Sequence, residues 1–391
     1  MAAPVLDLDF YGEDARSDPA GLYREMLSAG PVVWLARHDI HAIVGFEALT
    51  ATLRNHRIFQ SGQGVSINPD VNKVLVGSTL NSDPPDHDMT RRITFQPLTP
   101  KALQVVRDRI EKEAERIVGQ LVTRGGFDAA AEMAPHLPLT IVRDLVGLGG
   151  EGGARMLDWG AATFELMGDP RDRAASATQR LREMRTYLDD PKTLAQLHPD
   201  GWARSATARG VAAGLPETRA VELMRDYIAP SLDTTISAIG FGVMLFARNP
   251  DEWTRLRGQP DLLRGAIEEI VRLNTPIRAF TRHVAEDIDV ADVGFAAGER
   301  VMVVYGAANR DPARFADPDR FDIGRDTRGH VGFGHGVHAC LGMHLARLEM
   351  TAIFTALMQR VVRFELAGPC VPAVNSTIRA FSEVPVTVMA V

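Results

Sequence analysis

The sequence predicts a mainly α fold with a small β region, and three observations carry that reading. Charged and apolar residues alternate at helical spacing through 101–149. A second long apolar-rich stretch runs from Val221 to Arg248. Strand-like patterning is confined to short runs, at 31–48, Val301–Val304 and Val384–Val388.

In chain order, PVVWLARHDIHAIVGF at 31–48 reads as two apolar runs around a turn. In DPPDHDMTRR a helix starts after Pro85, a residue that suits helix starts. GLGGEGG at 147–153 is a connection and not a phosphate loop, because no Lys-Ser/Thr follows it. The polar, arginine-rich stretch Asp169–Arg204 is expected to be a mobile lid. Pro230 should kink the 221–248 helix, because it lacks an N–H and leaves the Asp226 carbonyl free. That stretch is not a membrane span, since Asp226 and Asp233, with Glu222 and Arg225 nearby, interrupt the roughly 20 apolar residues a span needs. In GAIEEIVRL, Glu269 and Arg272 share one helix face among apolar neighbours, which places the pair in an interior where charges need full pairing.

A net charge of −7 argues against a nucleic-acid-binding protein. The segment MAAPVLDLDFYGEDARSDP has no apolar run of signal or membrane type, so a soluble cytoplasmic protein is expected. There are two cysteines, and Cys370 in AGPCVPA reads as a thiol without catalytic consequence. Neither CxxC iron–sulfur clusters nor a GxGxxG fingerprint occurs, so the chain carries no electron supply of its own.

The most informative segment is FGHGVHACLG, from Phe333 to Gly342. Gly334 and Gly336 permit positive φ and a tight loop beneath a sulfur, and a helix N-terminus beyond Cys340 would stabilise a thiolate. Such a thiolate is a candidate ligand for haem iron. A zinc site built from His335, His338, Cys340 and His344, or a buried free thiol, are the competing readings. The pattern FxxGxxxCxG (Phe333, Gly336, Cys340, Gly342) resembles the haem-ligand loop of the cytochrome P450 family, with Cys340 at the ligand position.

That resemblance implies three further features, and candidates for all three occur. Glu269, Arg272 and Arg320 (in FADPDRFDI) match a buried Glu-Arg-Arg network with a folding role. His87 and Arg91 (HxxxR), Arg282 and His338 match the cations that meet the haem propionates, and an arginine fork suits a carboxylate. Asp233 and Thr234 match the acid–alcohol pair that relays protons to the oxygen site, although the family's usual Ala-Gly before this pair is Pro230-Ser231 here. A threonine or aspartate within a core helix is otherwise a poor packing choice.

The resemblance covers nearly the whole chain and implies the P450 fold, read here as a single interwoven domain over 1–391. The cofactor would be haem b (iron protoporphyrin IX). Electrons would come from NAD(P)H through a reductase and a ferredoxin or flavodoxin-type carrier, docking near Cys340 with Arg92 and Arg347 as candidate contacts. O2 and a small molecule would be substrates, with no nucleic-acid or membrane partner. The family's substrate segments correspond to Val65, Ser66, Phe164, Met167, Ser231, Ile277, Phe280 and Ile378, a small and largely apolar set. SGQGVSI, HVGFGHGVHAC and NSTIRAF look most like members that remove methyl groups from small methoxyarenes. The absence of a basic residue near Gln63 leans the reading toward a neutral phenolic ether. Arg225 and Arg278 keep a carboxylate in view, although surface or salt-bridged roles are expected for both. Terpenoid or fatty-acid oxidation, peroxide-driven chemistry and a non-catalytic haem sensor are the alternatives, and the intact Asp233-Thr234 pair argues against the last two.

Overall fold

The structure, a computed structural model, describes residues 2–391. It is 56% helix and 13% strand, the mainly α chain with a small β region that the patterning predicts. The helices that frame the site are α1 (Pro69–Leu75), α2 (Asp86–Phe95), α3 (Pro100–Thr123), α4 (Gly150–Met167), α5 (Ala174–Asp189), α6 (Glu217–Glu222), α7 (Arg225–Ile228), α8 (Asp233–Arg248), α9 (Leu263–Asn274) and α10 (Met343–Arg360). Small polar caps and prolines start several of them. Thr99 accepts the Ala102 N–H at 3.2 Å, with Pro100 at the first position of α3. At its other end, α9 stops on Thr275, left-handed at φ +42°, and Pro276 forbids its continuation.

A six-stranded sheet stands at one side, in the order β1 (Val5–Leu6), β2 (Val32–Leu35), β3 (Ile40–Ile43), β7 (Arg300–Val303), β6 (Phe280–Val284), β4 (Phe59–Gln60). The two apolar runs of 31–48 are the antiparallel pair β2–β3, in register from Val32↔Ile43 to Leu35↔Ile40. A three-stranded sheet joins β8 (Val361–Leu366), β9 (Pro385–Ala390) and β5 (Gly126–Asp128). The main core is helical: α10 lies along α3 and also meets α8 and α9.

Two expectations about backbone change. Gly150–Gly153 are the first turn of α4 and not a connection, and a Cβ on Gly152 would sit 2.4 Å from the Tyr187 ring. The 221–248 stretch is broken, not merely kinked. Residues 229–232 leave the helix between α7 and α8, and regular helix resumes three residues after Pro230. The missing N–H and the ring's clash with the preceding turn account for the break. Glu217–Arg248 is long and apolar enough to cross a membrane by composition, yet 67% of its most apolar window is buried inside the fold.

The Glu-Arg-Arg network forms with one substitution of partner. Glu269 and Arg272 are both fully buried and pair in a fork at 2.7 and 2.9 Å. The third cation is Arg325, whose Nε reaches Glu269 at 3.0 Å. Arg320 turns outward instead, with its side chain 65% exposed and bound to Asp322 at 2.8 Å. The Asp322 carboxylate captures the nearer arginine and leaves Arg325 to fold inward. Arg325→Ala is therefore expected to lower stability by ~2 kcal/mol or more, because it strips a partner from a buried carboxylate. Arg320→Ala should leave the denaturation midpoint unchanged. Equal midpoints for the two variants in urea would return the third place to neither arginine.

Candidate active site

The cysteine loop is tied to itself by backbone bonds. Cys340 N–H donates to the Phe333 carbonyl at 2.7 Å, Gly334 N–H to Val331 at 2.9 Å, and Ala339 N–H to Gly336 at 3.1 Å. Gly334 and Gly336 sit at φ +71° and +69°, and a Cβ on Gly336 would lie 2.5 Å from the Leu53 carbonyl oxygen. Only glycine fits that approach. The loop ends at Gly342, where α10 begins. Burial pushes the Cys340 thiol up from its ordinary range, while the Gly342 N–H, Arg91, Arg347 and the Met343 N–H act in the opposite direction. The first amides of α10 thus address the sulfur, as the sequence predicts.

The competing zinc set does not assemble. His335 accepts the Arg54 Nε–H at 2.9 Å, His338 faces His87, and the His344 ring lies 6.4 Å from that of Phe95. No three metal-ligating side chains cluster among the described residues. Both cysteines are free thiols.

Four cationic or imidazole groups converge beside the loop. Arg91, Arg282 and His338 line one cavity with Cys340, and the buried His87 ring meets that of His338 at 4.4 Å. His87 Nδ1 pairs with Asp88 at 3.0 Å, but its Nε2 is sealed from solvent without a partner, as is Nε2 of His338. Burial, then Arg282, His87 and Arg91, push His338 down to about 2. Arg91 donates to the Ala339 carbonyl at 2.7 Å, and Arg282 to its neighbour Thr281 at 2.7 Å. Unpartnered buried nitrogens among cations call for an anion. Two haem propionates fit that demand, with His87, Arg91, Arg282 and His338 as the residues that would hold them and Cys340 as the residue that would bind the iron.

Phe333 and Gly342 line the same cavity. Phe333 carries the Arg347 guanidinium 4.6 Å from its ring centroid. Arg347 is also held by Glu268 at 2.6 and 2.9 Å, so of the two docking candidates only Arg92 stands exposed.

On the other side of the cavity, Thr234 and Thr235 of α8 face inward. The Thr234 hydroxyl donates to the Pro230 carbonyl at 3.1 Å, a group that the broken turn leaves available. Asp233 is not itself in the lining. Its Oδ2 is sealed off without a partner, and burial, reinforced by Asp158, pushes its carboxyl up to about 7. Gly160 of α4 makes that seat: a Cβ there would come within 3.0 Å of the Ala229 carbonyl and 3.4 Å of Asp233 Oδ2.

Five of the eight expected substrate residues line the cavity: Phe164, Met167, Ser231, Ile277 and Phe280. Val65, Ser66 and Ile378 stand behind the wall. The Ser66 hydroxyl donates to the Met167 carbonyl at 2.9 Å, Val65 is packed in the core, and Ile378 bridges to Ile277. Missed were Leu75, the run Ser78–Asn81, Met184 and Asp226, while Arg225, expected at the surface or in a salt bridge, is buried in the lining and pairs with Glu222 at 3.6 Å. The 75–81 segment carries no periodic or motif signal. Met184 lies on α5, within the stretch expected to cover the site. Arg278 is neither at the surface nor salt-bridged: it is buried and donates to the carbonyls of Phe10, Ala15 and Ser376.

Comparison with known proteins agrees with this geometry. The Cytochrome P450 family model matches residues 179–369. The chain is 34% identical over 388 residues to "Cytochrome p450 CYP199A2" of Rhodopseudomonas palustris, covering 98% of this chain and 94% of that one. It is 30% identical to "Cytochrome P450 monooxygenase PikC" of Streptomyces venezuelae, over 98% and 94% of the two chains. Among solved structures, Mycobacterium marinum cytochrome P450 CYP268A2 in complex with pseudoionone superposes with a TM-score of 0.86 at 26% identity, over 99% of each chain. With likeness running through almost its entire length, the chain belongs to the cytochrome P450 family and is a haem-dependent monooxygenase.

Proposed function

We propose that this chain acts as one bacterial-type haem-thiolate monooxygenase domain over 1–391 and removes the methyl group of a small, neutral methoxyarene. The observation that carries the reading is one cavity that joins Cys340, Thr234 and the rings of Phe164 and Phe280. Haem, when bound, supplies the activation of O2. Cys340 would ligate its iron, and His87, Arg91, Arg282 and His338 would hold its carboxylates. Thr234 orders a proton path from Asp233, with Pro230 as the acceptor that sets the hydroxyl. Glu269, Arg272 and Arg325 keep the surrounding loops in place. Phe164, Met167, Ser231, Ile277 and Phe280 enclose the ring and exclude water. Electrons would arrive from NAD(P)H through a reductase and a ferredoxin or flavodoxin-type carrier. We read the enzyme as soluble and cytoplasmic, in keeping with the burial of the long apolar stretch Glu217–Arg248.

Cys340 is tested spectroscopically. The reduced carbon monoxide complex should show the strongly red-shifted Soret band of thiolate ligation, and Cys340→Ser should abolish it. Stoichiometric zinc and no haem in the purified protein would end the reading.

Proton delivery has a pH signature. An acid raised to about 7 is protonated below that pH and loses its proton above it, so turnover should fall as pH rises through about 7. Asp233→Asn should be slower, by about 10²-fold or more, and lack that limb. Thr234→Ala should keep haem and substrate binding while diverting reducing equivalents to hydrogen peroxide. Unchanged coupling and pH profile in both variants would move the relay elsewhere.

For the substrate, small methoxyphenols should shift ferric iron toward high spin, because an apolar ring excludes solvent. Hydroxylation of the methyl carbon gives a hemiacetal that collapses to a phenol and formaldehyde, so the two products should appear in equal amounts. Phe280→Ala should weaken binding by about 1 kcal/mol or more and leave the thiolate spectrum intact. A spin shift with a terpenoid or fatty acid, and none with guaiacol, syringol or methoxybenzoates, would leave only the monooxygenase class.

A further inference from the structure

The cavity wall made by residues 75–81 and α7 holds polar atoms that the proposed chemistry does not use. Asp226 lines the cavity, and its two carboxylate oxygens accept the Thr79 N–H at 3.1 and 3.3 Å, with the Thr79 hydroxyl as a second donor. A carboxylate offers about four acceptor positions, so Thr79 alone does not saturate it. Asn81, 3% exposed and in the same lining, donates its amide to Ser78 Oγ at 2.8 Å. Its Oδ1 is sealed from solvent and has no donor at all. A buried acceptor left empty is costly, and such groups are normally satisfied.

The neighbouring cation does not answer this need. Arg225 donates through Nη1 to the Val74 carbonyl at 3.0 Å and through Nη2 to Leu75 and Val76 at 3.3 and 3.1 Å. Its Nε alone is without a partner. Arg219 is likewise occupied by Glu222 and the Gly77 carbonyl.

We propose that Asp226 and Asn81 form an acceptor pair that binds a hydroxyl group of the substrate and selects phenols over their methyl ethers and over benzoates. The proposal rests on the methoxyarene reading for the rest of the substrate. A phenol supplies the proton that Asn81 Oδ1 lacks and that Asp226 has room to accept. A methyl ether has none to give, and a carboxylate brings only further acceptors to a wall of acceptors. The pair is a specificity determinant that the sequence motifs do not announce.

The test is spectral titration of the ferric holoenzyme with two matched series. One is guaiacol against 1,2-dimethoxybenzene. The other is 4-(imidazol-1-yl)phenol, its methyl ether and 4-(imidazol-1-yl)benzoate, in which the imidazole nitrogen binds haem iron whatever the natural substrate is. The hydroxyl probe should bind about tenfold or more tighter than the ether, as donation to an otherwise unsatisfied buried acceptor implies. In Asp226→Leu, and separately in Asn81→Leu, the ratio should fall below about threefold while the ether keeps its affinity. The reduced carbon monoxide spectrum checks that each variant is folded, and if Asp226→Leu is not, Asn81→Leu decides. Equal affinities for hydroxyl and ether in the wild type, or a ratio that survives substitution, would overturn the proposal. Tightest binding of the benzoate would overturn it too and give the anchor to Arg225. Silence of the guaiacol series with a hydroxyl preference in the imidazole series, lost in the variants, would uphold the acceptor pair and remove the methoxyarene reading instead.

Discussion

The buried fork between Glu269 and Arg272 organises much of what surrounds the cysteine. A fully buried ion pair is stable only when its remaining hydrogen-bonding capacity is met, and here that requirement recruits distant chain. Arg272 Nη1 donates to the carbonyls of Asn309 and Pro318 at 2.7 and 2.8 Å. The Asn309 side chain in turn accepts the Val331 N–H at 2.8 Å and donates to Thr275 Oγ1 at 2.8 Å. Thr275 closes the circuit on the Arg272 carbonyl at 2.7 Å. One asparagine therefore links the charge pair, the end of α9 and the start of the cysteine loop. A change at Glu269 or Arg272 reaches Cys340 through hydrogen bonds, with no direct contact.

The unmet polar atoms in and around the cavity fall into two groups. Near Cys340 the unpartnered atoms are nitrogens, on His338 in the lining and on His87 packed against it, with Arg91 and Arg282 beside them. At 75–81 and α7 the unmet atoms are the Asn81 carbonyl oxygen and the Arg225 Nε–H, in the same lining as the Asp226 carboxylate. Apolar residues such as Phe164, Met167 and Phe280 complete the lining. An anionic cofactor edge and a neutral donor on the substrate would each find the complementary wall. A single amphiphilic molecule would satisfy only one of them.

The features that sequence made legible are those fixed by short, rigid spacing. Cys340 with its glycines, Glu269 with Arg272, and His87 with Arg91 each sit within one loop or one helical turn, where counting residues is the same as locating them. Arg320 was misassigned because it lies with Arg325 in an irregular stretch, where no period says which side chain points inward. The answer depended on Asp322 catching the nearer guanidinium. Val65, Ser66 and Ile378 failed at the level of the segment: neither 60–68 nor 370–385 contributes a residue to the lining, and Leu75 with Ser78–Asn81 takes that place. Asn309 carried no signal, since a lone asparagine before Arg-Asp-Pro reads as a turn.

Pro230 is the clearest case of local propensity and site chemistry reaching one result. An unbroken helix from 217 to 248 would satisfy the carbonyls of 226–230 internally and leave Thr234 to compete with the backbone. The break forfeits those helical bonds over 229–232 and exposes the Pro230 carbonyl, which takes the Thr234 hydroxyl. It also frees α7 from the direction of α8, so that consecutive residues Arg225 and Asp226 both line the cavity. Arg225 then pins the backbone of 74–76 against α7, and Asp226 pins Thr79. The same interruption that positions the alcohol of the proposed proton path thus builds the polar wall assigned to the substrate. Restoring a continuous helix with Pro230→Ala would disturb both at once, which is why the two functions are coupled through one residue that touches neither proton nor hydroxyl by its own side chain.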